Sequence, residues 1–210
     1  MSVKNQKMPT TFGYIDPEAV VEEGAKVLAG AYVLGNSVIG AGTVIYPNSV
    51  IENSVVGKKV VIKSSFIEDS VVEDNVEIGP FAHLRPNAHV CTNAKVGNFV
   101  EIKNATLGKG SKASHLAYVG DADVGENCNI GCGAIFVNYN GKTKNRTMVG
   151  NNCFIGSNCN IIAPVTIADN SYICAGTTLT VDTENADFVI GRCRETIKKQ
   201  RAKQYLKEIF

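Results

Sequence analysis

A branched aliphatic residue returns at every sixth position through long stretches of this chain: Leu84, Val90, Val96 and Ile102, then Val149, Ile155, Ile161, Ile167, Ile173 and Leu179. A helix needs apolar returns at three and four, and a two-sided strand alternates at two, so a sustained period of six specifies a repeat architecture. The same rhythm starts earlier, at Val21, Val27, Val33, Ile39, Ile45 and Ile51, with Ala25, Ala31, Ser37, Thr43 and Ser49 two places before the next aliphatic. Each hexapeptide reads as a short strand and a corner. The aliphatic points inward, a Gly, Asn or Asp permits the turn, and the small residue fills the narrowing corner. Three sides close a triangular coil of about eighteen residues, and coils stack about 4.8 Å apart as parallel strands.

The expected fold is therefore an all-β solenoid built from hexapeptide repeats over residues 15–190, preceded by a polar tail, 1–14, and followed by a basic segment, 191–210. From Val56 through Ile62, Ile67 and Val72, and again from Ile102 to Leu107, some steps shorten to five, which reads as slipped corners inside one domain. Glu195 to Phe210 reads as a short amphipathic helix packed through Ile197, Tyr205, Leu206 and Ile209. Between Phe136 and Val149 the rhythm breaks, and Val137 to Met148 form a polar insertion with three cations. An excursion from a rigid coil is where a solenoid places binding groups.

Composition excludes several classes. Of 210 residues, 44% are hydrophobic and 20% charged, ordinary for a folded soluble domain. Met1 to Thr11 lacks the apolar core of a signal peptide, and no apolar window is long enough to span a bilayer, so a cytoplasmic protein without membrane or nucleic-acid partners is expected. The net charge of +1 hides seven Lys/Arg against two Glu in residues 191–210. The seven cysteines include no CxxC pair and no zinc-spaced Cys/His cluster. Cys128, Cys153 and Cys159 sit at the small position and read as inert core thiols, so no metal site is expected. His83 and His89 precede consecutive aliphatics and point outward from adjacent sides. His115 lies in Ser114-His115-Leu116-Ala117-Tyr118 and suits proton transfer at neutral pH, with Glu101 and Asn138 as candidate orienters.

Gly79-Pro80-Phe81-Ala82, Leu84-Arg85-Pro86, Lys95 to Lys103, Leu107 to Lys112, His115-Leu116, Tyr118, Gly120-Asp121 and Asn138-Tyr139 together resemble one family. It is the acetyltransferase half of the bacterial bifunctional N-acetylglucosamine-1-phosphate uridyltransferase/glucosamine-1-phosphate acetyltransferase. The resemblance implies a left-handed parallel β-helix, a homotrimer with sites between subunits, and N-acetylation of glucosamine 1-phosphate from acetyl-CoA. It implies His115 as the base with Glu101 helping to hold the site, and Asn138 as a further catalytic group. Arg85 and Lys103 would meet the phosphate, and Tyr118 and Asn129 the sugar. The coenzyme would lie along Cys132, Asn138, Tyr139, Lys144, Ser157, Ala175 and Arg192, with Cys132 standing where the family usually has Ala. The family's nucleotidyltransferase half has no counterpart in this sequence, so uridylyl transfer and its magnesium site are expected to be absent. An amine acceptor of another kind, such as a nucleotide-linked amino sugar, and a non-catalytic trimeric scaffold are the competing readings.

Overall fold

The computed structural model describes residues 13–205, and among them 27 short strands run from Tyr14–Ile15 to Phe188–Val189. Every ladder between strands is parallel and joins a residue to the one a full coil later. Tyr14 pairs with Tyr32 and Tyr32 with Val50, steps of eighteen, which is three hexapeptides. Three faces result. Face 1 carries the columns from Tyr14–Ile15 to Thr178–Leu179, face 2 those from Val20–Val21 to Val165–Ile167, and face 3 those from Lys26–Val27 to Phe188–Val189.

Inside the coil the repeat aliphatics stack on one another. Val33, Ile51, Ile67, Leu84, Ile102, Val119, Phe136 and Ile161 form the face 1 column and are all fully buried. Each such side chain removes apolar surface worth about 1.5–3 kcal/mol, and no single coil can bury its own inner side without neighbours. The small positions are filled as anticipated: Ser37, Thr43, Ser49, Cys128, Cys153 and Cys159 are buried. Burial pushes the Cys159 thiol up, as suits a core residue. The slipped corners are also present. Val50 pairs with Phe66 and Phe66 with His83, steps of sixteen and seventeen, and the inward column is kept because only the corner shortens.

Two long strands, Lys95–Lys103 and Lys112–Gly120, run unbroken from face 3 through the corner into face 1. They pair with each other through the bend, Lys95 with Lys112 and Lys103 with Gly120. That continuity makes faces 3 and 1 one 18-stranded sheet and leaves face 2 as a separate nine-stranded one. At the bend Gly97 is required, since a Cβ there would lie 1.8 Å from the Ser114 carbonyl oxygen.

The C-terminal segment departs from expectation. Among the described residues it forms a single four-residue 3₁₀ turn, Arg201–Gln204, and Ile197 and Tyr205 are 80% and 78% exposed. A helix this short depends on packing its apolar stripe, and here the stripe meets no core. Leu206 and Ile209 lie outside the described residues. No helix among the described residues is long and apolar enough to cross a membrane.

Candidate active site

His115 stands on the edge where face 3 turns into face 1, exposed, immediately before Leu116 with its φ of 41°. The same turn is made by Phe99 at φ 56°, and by glycines at Gly133 and Gly176, φ 75° and 74°. A large residue in the left-handed region costs of order 1–3 kcal/mol that glycine avoids, so this edge holds conformational strain at Phe99 and Leu116. Register puts Asn98 directly over His115, and Asn98 Oδ1 is 2.8 Å from His115 Nδ1. An amide oxygen only accepts, so Nδ1 carries the proton and donates, and the Nε2 lone pair is left free for a substrate.

Below His115 the edge continues with Cys132, Ser157, Ala175 and Arg192, all exposed. Backbone bonds tie the edge vertically: the Gly133 amide donates to Leu116 O at 2.7 Å, Asn158 to Cys132 O at 2.8 Å and Gly176 to Ser157 O at 2.8 Å. Arg192 folds back so that its Nη1 donates to Ala175 O at 2.8 Å. Four rises of about 4.8 Å make this a rail of roughly 19 Å. One of the expected coenzyme contacts sits on each step.

Face 1 carries the polar cluster beside that edge. Glu101 and Tyr118 are register neighbours, with His83 above them. Arg85 Nη1 donates to Glu101 Oε1 at 2.7 Å, and this bond raises the Arg85 pKa further. Its remaining donors stay available for an anion. Lys103 makes no ion pair among the described residues and lies one coil beyond Arg85 on the same side.

At the opposite edge of face 1, Asp121 sits at φ 46°, a backbone region that Asp and Asn tolerate. The residue is 7% exposed, and its carboxylate accepts from two amides, Asn104 Nδ2 at 2.5 Å and Asn138 Nδ2. Asn138 Nδ2 also reaches Tyr118 Oη at 3.3 Å. Asp121 thus ties Asn138, near the start of the insertion, to Asn104 and, through Asn138, to Tyr118.

The insertion is ordered. Tyr139 bridges Lys144 antiparallel, the Asn145 amide donates to Asn138 O at 2.7 Å, and Asn140 Oδ1 accepts from the amides of Lys142 and Thr143. Arg146 fastens its far end, gripping Asp123 with Nε and Nη2 at 2.6 and 2.5 Å and Asn104 O with Nη1 at 3.0 Å. That grip holds the Asp123 carboxyl below its ordinary range. Tyr139 and Lys144 are left exposed at the tip. Because the insertion adds seven residues, Ile135 pairs with Asn160 across a step of 25 and the coil resumes in register.

The expected site residues therefore fall into groups. Arg85, Glu101, Lys103 and Tyr118 share face 1, with His115 and Asn138 on its two edges. Asn129 does not join them: it projects from face 3, between Lys112 and Phe154. Glu101 and Asn138 are engaged elsewhere, so within one chain Asn98 and not either of them holds the His115 ring. Asn98, Asn104, Asp121, Asp123 and Arg146 were not singled out as site residues from sequence, although Asn98 and Asp121 lie within the motifs that carried the resemblance.

Comparison with known proteins agrees with this architecture. The profile of the bacterial transferase hexapeptide (six repeats) matches residues 18–53, 69–104 and 146–180, half of the chain. The protein called Bifunctional protein GlmU of Clostridium novyi is 47% identical over 196 residues, 93% of this chain and 43% of that protein. Its counterpart in Caldicellulosiruptor saccharolyticus is 50% identical over 186 residues, 89% of this chain and 40% of that protein. The chain thus spans about two fifths of the length of these curated relatives. Among solved structures, an Arabidopsis UDP-N-acetylglucosamine acyltransferase superposes with a TM-score of 0.62 at 17% identity, covering 83% of this chain and 68% of that one. This likeness is one of fold, the left-handed parallel β-helix. The chain belongs to the bacterial transferase hexapeptide family.

Proposed function

We propose that this protein transfers the acetyl group of acetyl-CoA to the 2-amino group of glucosamine 1-phosphate, working as a homotrimer in the cytoplasm. The observation that carries the reading is the His115 imidazole, fixed by Asn98 with Nε2 free, at the head of the exposed rail Cys132, Ser157, Ala175 and Arg192. The similarity to acyl-transferring relatives supports an acyltransferase of this kind.

In this reading the acceptor's phosphate lies against Arg85 and Lys103, a pairing of cations with a dianion. The amine attacks the thioester carbonyl and the new C–N bond forms as the amine proton passes to His115 Nε2. The C–S bond then breaks, and the departing thiolate takes that proton back. No acyl-enzyme is involved. Both Asn138 Nδ2 hydrogens are committed to Asp121 and Tyr118, so a backbone amide is the better donor to the oxyanion. Tyr118 meets the sugar from face 1, whereas Asn129 projects from face 3. A pocket using both takes Asn129 from a second copy, which supports the trimer. Ser157, Ala175 and Tyr139 flank the pantetheine arm, and Lys144 and Arg192 offer charge to the coenzyme phosphates.

The test is mass-spectrometric detection of acetyl transfer from acetyl-CoA to glucosamine 1-phosphate, beside glucosamine, glucosamine 6-phosphate and a nucleotide-linked amino sugar. Acetylation of glucosamine 1-phosphate alone or foremost is expected. Preference for the nucleotide-linked acceptor supports the second enzymatic reading, and failure to bind coenzyme A at all supports a scaffold.

A further inference from the structure

On the edge where face 2 turns into face 3, the residue after the inward aliphatic is glycine in five coils, Gly40, Gly57, Gly108, Gly125 and Gly150. The coils approach closely there, so that a Cβ on Gly108 would lie 2.2 Å from Gly125 O. Glu22 and Ala168 stand at the two ends of this column, and between the glycines two successive coils carry Glu73 and Cys91 instead. Val71–Val72 pairs with His89–Val90, which sets Glu73 directly over Cys91. His89 and Cys91 flank the buried Val90, so both project outward from the same strand end.

We propose that Glu73, His89 and Cys91 form a binding site for a zinc-class divalent metal ion. One donor atom from each residue, a carboxylate oxygen, a ring nitrogen and the sulfur, lies within 4.8 Å of the other two. Glu73 Oε1 is 2.8 Å from His89 Nε2. A tetrahedral zinc with ligands at its usual bond lengths spaces such donors about 3.3 to 3.6 Å apart, so that pair needs to open by about half an ångström, within the reach of side-chain rotation. Side-chain exposure of 43% at His89 and 39% at Glu73 gives the ion an entry and a water its fourth position.

The remaining Glu73 oxygen accepts from the Thr92 amide at 2.8 Å and the Thr92 hydroxyl at 2.7 Å. These bonds hold the Glu73 carboxyl below its usual range and fix its orientation, the outer support that a metal ligand needs. Burial pushes the Cys91 thiol up to about 11. The free thiol thus keeps its proton, and binding of a dication has to displace that proton to solvent for the sulfur to ligate as thiolate.

The fold contains its own control. Glu22 occupies the same column as Glu73, and its Oε2 accepts from the Ala41 amide at 2.9 Å. Capping the next corner thus accounts for one oxygen of each glutamate. Where Glu22 then faces Val38 and Gly40, Glu73 faces His89 and Cys91. Face 1 repeats the glutamate–histidine pair, Glu68 with His83 at 3.3 Å, but no sulfur accompanies it. A sulfur, nitrogen and oxygen donor set favours zinc or cobalt over magnesium and calcium, which take oxygen. The site lies on the edge away from both His115 and Asp121, so the ion is a clasp between two coils and stands apart from the proposed transfer chemistry.

Cobalt(II) titration of the full chain tests this without any activity assay. One cobalt per chain is expected, with a thiolate-to-metal charge-transfer band that zinc abolishes by displacement and magnesium does not. Cys91→Ala loses the band, and His89→Gln, which keeps every cysteine, weakens cobalt binding at least tenfold. The double variant Cys132→Ser/Cys193→Ser, lacking the exposed thiols, retains the band. Zinc raises Tm in the wild type and the double variant and leaves Cys91→Ala unchanged. Absence of the band, its survival in Cys91→Ala, its loss in the double variant, or unchanged affinity in His89→Gln each overturns the site. If Cys91→Ala does not fold, the His89→Gln result decides.

Discussion

Asn98 Oδ1 lies 2.8 Å from His115 Nδ1, one coil above it, and this contact selects the imidazole tautomer whose free nitrogen faces outward. His115→Ala is expected to lower turnover by about 10² or more with little change in melting temperature, because the ring is exposed and packs against nothing in the core. Asn98→Ala removes only the orienting bond, worth about 1 kcal/mol, and should slow turnover roughly five-fold while KM for the acceptor holds. Steady-state kinetics with calorimetric melting on both variants checks the pair. Near-normal turnover in His115→Ala would remove it from the mechanism.

Arg85 is the residue that tests the proposed phosphate contact. Its Nη1 is held by Glu101, and the other donors are free for an anion. Arg85→Ala is expected to raise KM for glucosamine 1-phosphate by the loss of a charge-assisted bond of about 1.5–3 kcal/mol, with KM for acetyl-CoA unchanged. An unaltered acceptor KM contradicts the phosphate role.

The Arg146 grip on Asp123 ties the insertion to the coil, and it is sensitive to acid. Because the folded-state pKa of Asp123 is depressed, its contribution to stability is fully present above the unfolded aspartate value of about 3.9 and is lost as pH falls through the lower folded value. The pair is part-exposed, so the effect is small, of the order of 0.2–1 kcal/mol. Arg146→Gln should therefore lower Tm slightly at neutral pH, and the wild-type advantage should shrink as pH falls below about 3.9. Hydrogen exchange at the Asn145 amide, which reports closure of the insertion, should quicken in the variant.

Gly97 tests how tightly the long strands are bent. Gly97→Ala sets a Cβ against the Ser114 carbonyl at 1.8 Å, a backbone clash that no rotamer relieves. Destabilisation of about 1–3 kcal/mol is expected, measured by denaturant unfolding. Ser114 is next to His115, so turnover should fall as well.

Much of this architecture could be read from period six alone. Leu84, Val90, Val96 and Ile102 set the faces, and even the shortened steps were visible, because a slipped corner changes spacing without changing which residue points inward. The motif around His115 also pointed to the edge on which the proposed transfer is built. What escaped depends on vertical contacts. Asn98 meets His115 across seventeen residues and Asp121 meets Asn138 across seventeen, offsets that become meaningful only once each corner's length is known. Asn129 fell on another face for the same reason. The helix expected over Glu195 to Phe210 rested on an amphipathic pattern, and Ile197 and Tyr205 have no surface in one chain to satisfy it. Glu73 and Cys91 were invisible as a pair because their spacing matches no metal motif written along a single strand.

The even pitch of the rail has a bearing on donor choice. Contacts offered from successive corners come in whole storeys: adding one eighteen-residue coil between Cys132 and Ser157 would carry Ser157, Ala175 and Arg192 about 4.8 Å farther from His115. In the proposed reading the span from the proton acceptor to the phosphate-facing Arg192 is therefore fixed by the number of coils, and a donor of different reach calls for a change in coil count before any change of side chain.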